Sequence, residues 1–73
     1  MNIQDKKNLL SLLLGDLKND AELSEEEIAS YRAQLGGLNE EVTNRLFDRF
    51  IVRKETGVYV SPAVYLYRVL DHM

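Results

Sequence analysis

In LNEEVTNRLFDRFIVRK, residues 38–54, Val42, Leu46 and Phe50 recur at every fourth position, with Phe47 and Ile51 beside them. That period places all five on one side of an α-helix, and a helix so divided folds only where other elements cover its apolar stripe. Leu38-Asn39 just before the stripe, and Glu40 and Glu41 in its first turn, read as a helix start. The rest of the chain therefore has to supply packing partners for one central amphipathic helix.

Three further helices are expected. Asp5 caps a first helix running to about Lys18, with residues 1–4 frayed before it. Its leucines, Leu9, Leu10, Leu12, Leu13, Leu14 and Leu17, cover about 200° of the helical wheel. A helix with one neighbour needs a stripe of only about 100°. The first helix is thus either central in a bundle or shared with a second copy. Asn19-Asp20 ends it. Ser24 with Glu27 three residues later is a capping box, and Leu23 with Ile28 fits a hydrophobic staple. Glu25, Glu26 and Glu27 then sit where the helix dipole favours negative charge. Ile28, Tyr31 and Leu35 share one face, and Gly36-Gly37 stops this second helix. After the central helix the reading divides. The helix extends to about Lys54 and ends at Thr56-Gly57 before an extended Val58–Val60, or a short hairpin forms over 51–60, since Ile51-Val52 and Val58–Val60 favour strands. Ser61-Pro62 opens the last helix, serine as cap and proline in the first turn. Val60 and Tyr65 would staple it, and Ala63, Leu66, Tyr67, Leu70 and Met73 share a face. The expected fold is all-α: a single domain, residues 1–73, folded as a compact bundle of four short helices near 5–18, 24–35, 39–54 and 61–72.

A core of 73 residues is small, and domains of this size often add disulfides, a metal or a partner subunit. There is no cysteine, which removes disulfides and thiolate metal sites, and the one histidine, His72, does not build a metal site by itself. No cofactor is expected. The glycines do not form a phosphate loop, and no triad-like arrangement surrounds His72, so neither an enzyme nor a small-molecule substrate is expected. Lys6 and Lys7 precede a run of leucines that Gly15-Asp16 cut short, unlike a signal peptide, and no apolar run reaches the length of a membrane span. The expected location is the cytoplasm.

The net charge of −3 gives no overall pull toward nucleic acid. The distribution is uneven, however: residues 1–41 hold four Lys/Arg against nine Asp/Glu, and residues 42–73 hold five against three. Arg45, Arg49 and Arg53, four apart, with Lys54 adjoining, form a basic column able to meet phosphates or acidic side chains. The competing reading is a solvated face whose arginine stems cover the core edge. Tyr59, Tyr65 and Tyr67, with Val64 and Val69, give the C-terminal region more apolar surface than a small fold can bury. The candidate partner-binding residues are Arg45, Arg49, Arg53, Lys54, Tyr59 and Tyr65. The expected partner is a protein, with a homodimer as one form of it, and binding of nucleic acid stays open.

Residues 28–66, IASYRAQLGGLNEEVTNRLFDRFIVRKETGVYVSPAVYL, carry a family pattern. Tyr31, Leu35, Val42, Leu46, Ile51, Tyr59, Ser61 and Pro62 stand at places comparable to those of the small helical module of phage and prophage replicative-helicase loaders. The chain resembles that family, and the resemblance implies a non-enzymatic accessory role in phage or mobile-element replication. Tyr31 stands where the family usually has tryptophan. A second resemblance ranks below it: IASY…LGGLNEEVTNRLFDRF is similar to the helix-turn-helix of bacterial regulators, with ETGVYVSP resembling a wing. That likeness implies a DNA-binding regulator whose Thr43, Asn44, Arg45 and Arg49 face the duplex. Arg32-Ala33-Gln34 intrudes between Tyr31 and Leu35 relative to that pattern.

Overall fold

A computed structural model describes residues 1–73, all in helices, turns and loops with no strand. The fold is the expected all-α bundle. Helix α1 spans Ile3–Leu14, and its cap is Asn2, whose side chain accepts the Asp5 backbone N–H at 2.8 Å. The expected start at Asp5 is corrected by one turn: Asn2 is an equally good cap, and Asp5 becomes a first-turn acid. The expected helix over 5–18 is also interrupted. Gly15 and Asp16 donate back only three residues, to Leu12 and Leu13, and a separate single-turn helix α2, Leu17–Asp20, follows. The break redirects the chain so that Leu17, like Leu10 and Leu14, is fully buried.

The acidic helix α3, Glu25–Gly36, has both bonds of the capping box between Ser24 and Glu27. Helix α4, Glu40–Phe47, is capped by Asn39, which accepts the Val42 N–H at 2.9 Å. It then widens into a π-helical turn, Asp48–Val52, closed by Arg53 N–H on the Asp48 carbonyl. The central helix therefore ends at Val52 rather than Lys54. Its buried line is Thr43, Leu46 and Phe50, with Val42, Phe47 and Ile51 half-buried along its edges.

The hairpin alternative over 51–60 does not form, because Ile51-Val52 stay in the π turn. Nor is Val58–Val60 extended. Val60 N–H bonds the Gly57 carbonyl at 3.2 Å, and Tyr59 has φ 61° while Val58 does not enter the left-handed region, the pattern of a type II turn. The turn is tight: a Cβ on Gly57 would lie 2.6 Å from Val60 Cγ2. Helix α5, Pro62–Asp71, follows with Ser61 as cap and proline in its first turn.

Helix α1 packs against α3, α4 and α5 alike, which accounts for its wide apolar arc. The core joins Leu10, Leu14 and Leu17 to Ile28, Leu35, Leu46, Phe50, Leu66 and Leu70. Each such leucine contributes roughly 1.5–3 kcal/mol relative to exposure. Long side chains bind the helix ends across the bundle. Arg32 of α3 donates to the Ser11 carbonyl of α1, Lys7 of α1 donates to the Gly36 carbonyl of α3, and Gln34 of α3 donates to the Leu70 carbonyl of α5. These bonds satisfy carbonyls that a helix leaves without intrahelical partners.

Candidate functional site

The π turn places Arg49 against the start of α5. Its guanidinium lies 5.2 Å from the centroids of both Phe50 and Tyr65, and those two rings meet edge to face. Arg49 Nε donates to Glu55 at 3.0 Å and an Nη donates to the Tyr65 hydroxyl at 2.6 Å. Hydrogen bonding to Glu55, followed by the attraction of Tyr65, raises the Arg49 pKa against the opposing effect of burial. Arg49 thus ties three elements together: the π turn, the loop through Glu55, and α5.

The other members of the basic column are also occupied. Arg45 pairs with Glu41 at 3.0 Å on an exposed face, and Arg53 pairs with Asp48 at 2.9 Å and Glu55 at 3.2 Å. Lys54 is exposed, has φ 52° and makes no ion pair. The column is therefore a set of internal pairs in which the arginines meet the chain's own carboxylates. Thr43, on the same helix, is fully buried, and Asn44 accepts a hydrogen bond from Lys6 at 2.7 Å.

The tyrosines have separate surroundings. Tyr65 is half-buried on Phe50, and Tyr67 meets Tyr31 edge to face at 5.4 Å. Burial and the hydroxyl's bond to Asp71 both push the Tyr31 pKa up. Tyr59 is 101% exposed and Val58 is 81% exposed. Their loop is nevertheless fixed at both ends. Glu55 N–H returns to the Arg49 carbonyl at 2.8 Å while its carboxylate holds Arg49 and Arg53, and Ser61 begins α5. The domain thus presents an exposed apolar pair on an anchored turn.

Two open grooves flank that turn. One, of about 490 Å³, is lined by Gly57, Val60, Tyr65, Val69 and Met73 together with Arg68 and His72. The other runs between the end of α2 and α5, past Tyr59, Tyr67 and Asp20. Val60 and Arg68 border both. Sequence reasoning missed Val58 and Arg68. The exposure of Val58 follows from the turn at 57–60, which reads as a strand in sequence. Arg68 gave no signal in the sequence: that the nearest acid on its helix, Asp71, is engaged by Tyr31 shows only in the folded chain.

No group of acidic or histidine side chains in the structure is arranged to hold a metal ion, and no helix is long and apolar enough to cross a membrane. The chain matches no protein-family model, no curated protein and no solved structure.

Proposed function

We propose that the chain is a non-enzymatic protein-interaction module that engages its partner through the Val58-Tyr59 turn and the adjoining side of α5. The observation that carries this reading is Tyr59. It is a bulky non-glycine residue in the left-handed region, at φ 61°, with its side chain wholly exposed. Such a conformation costs free energy, and no packing within the chain offsets it. Conformational cost held in place by an anchored loop is a feature of binding sites, and tyrosine is enriched among the residues that dominate interface energies. The finer reading, an accessory protein of phage or mobile-element replication, rests on the resemblance of residues 28–66 to helicase loaders, whose closing aromatic-x-Ser-Pro pattern includes Tyr59. The regulator alternative draws no support from the buried Thr43, the bonded Asn44 or the paired Arg45 and Arg49.

The test is quantitative affinity capture from the native host, comparing wild type with a Val58→Ser/Tyr59→Ser double variant. Both side chains are exposed, so the variant keeps the fold, which circular dichroism verifies. A protein retained by wild type and lost by the variant is the expected result. Identical retained sets would overturn the reading, as would salt-dependent duplex-DNA binding that an Arg45→Ala/Lys54→Ala variant loses. Sedimentation over a concentration range shows whether that partner is a second copy of the chain.

A further inference from the structure

We infer that the groove between the 57–60 turn and α5 accepts a peptide segment in which a carboxylate adjoins bulky apolar side chains, with Arg68 holding the carboxylate. This inference rests on the interaction-module reading and specifies the partner's chemistry. The first observation is the state of the arginines. Arg45, Arg49 and Arg53 pair with the chain's own acids, and Arg32 donates to the Ser11 carbonyl. Arg68 alone among the five has no hydrogen bond or ion pair, although the chain carries an excess of carboxylates. Its nearest acid along the helix, Asp71, accepts the Tyr31 hydroxyl at 3.2 Å instead.

The second observation is the groove lining. Val60, Tyr65, Val69 and Met73 provide its apolar lining, and Arg68 and His72 provide its polar side chains. No aspartate or glutamate lines this groove, whereas the groove on the other side of Arg68 contains Asp20. An anionic group is therefore favoured on the first side, whereas on the second Asp20 offsets the charge of Arg68. A guanidinium holds a carboxylate through two parallel hydrogen bonds, which fixes orientation as well as charge. The apolar wall supplies the affinity that one exposed ion pair lacks. The occupant that satisfies both is an acidic residue flanked by leucine-, isoleucine- or phenylalanine-like side chains.

The probe is a random peptide display library selected on the immobilised full chain, with Arg68→Gln and Arg68→Glu selected in parallel. Arg68 is exposed and unbonded, so both variants fold, and circular dichroism verifies it. Wild type is expected to enrich sequences joining Asp or Glu to bulky apolar residues. A peptide so selected should shift the amide resonances of Val60, Tyr65 and Val69 and bind Arg68→Gln about tenfold more weakly. Arg68→Glu should turn the selection toward basic peptides. Enrichment of peptides without acids, equal binding by Arg68→Gln, shifts confined to other surfaces, or no enrichment above bare support each overturns the inference. So does inorganic phosphate or duplex DNA shifting the Arg68 resonances where selected peptides do not. The capture experiment with Val58→Ser/Tyr59→Ser is independent of these outcomes, so the module reading can survive the loss of this one.

Discussion

Replacing Tyr59 by glycine should stabilise the free domain while weakening its interaction with a partner. Tyr59 has φ 61° and is fully exposed, so its side chain gives nothing back to the fold. An L-residue in the left-handed region costs roughly 1–2 kcal/mol, which glycine escapes. Glycine also gives the unfolded chain more freedom, which returns about 0.5–1 kcal/mol of that gain. The net expectation is about 0.5–1 kcal/mol of added stability. With roughly 2.1 cal/mol/K of unfolding entropy per residue over 73 residues, that is a rise in Tm of about 3–7 °C. Thermal denaturation followed by circular dichroism reads it directly. Tyr59→Ala is the control: it removes the ring and keeps the backbone cost, so its Tm should stay near that of wild type. A Tyr59→Gly variant no more stable than wild type, or a Tyr59→Ala variant that gains equally, would refute the account of stored backbone cost.

Three further outcomes follow from the packing. Thr43 is fully buried and its hydroxyl has no hydrogen-bond partner, so Thr43→Val should raise stability by about 1 kcal/mol in urea denaturation. Arg49→Ala should cost about 1–2 kcal/mol because it leaves the Tyr65 hydroxyl without its partner and Glu55 with Arg53 alone, whereas Arg45→Ala at its exposed pair should cost under about 0.5 kcal/mol. Stability should fall as pH rises past the unfolded tyrosine pKa of about 10, because the raised Tyr31 pKa means the folded state holds that proton longer than the unfolded state does. In Tyr31→Phe this alkaline loss, measured by denaturant titration at neutral pH and near pH 11, should be smaller.

The helices were legible where a local rule decides them. Ser24 with Glu27, Asn39 before Glu40, and Ser61 before Pro62 each start a helix within a residue of the expected place. Asn2 was missed because Asp5 offers the same chemistry one turn later. Departures from regular helix were not legible. The break at Gly15 and the π turn at Asp48–Val52 lie where α1 meets α3 and where the turn meets α1 and α5, contacts far apart in sequence. That π turn also explains why the partners of the arginines were not legible. The four-residue spacing of Arg45, Arg49 and Arg53 is a valid helical column up to Phe47, but the partners of the last two, Glu55 and Asp48, lie six residues ahead and five behind. Tyr59 was named as a candidate for its chemistry, yet its turn was read as extended because valine and tyrosine favour strands and left-handed positions usually hold glycine.

The side chains of α3 that reach the ends of α1 and α5, and the lysine of α1 that reaches the end of α3, also act as rulers. Each measures a helix from a fixed point on another. One extra residue inside α1 would rotate everything after it by about 100° and lengthen it by about 1.5 Å, moving Ser11 away from Arg32. The same insertion would change where Lys7 lies relative to Gly36. Insertions and deletions within the helices should therefore be tolerated far less than substitutions on their exposed faces. The stretch 53–60, which none of these three bonds measures, has its own ruler in Arg49, which holds Glu55 on one side and Tyr65 on the other, and it is the stretch that carries Tyr59.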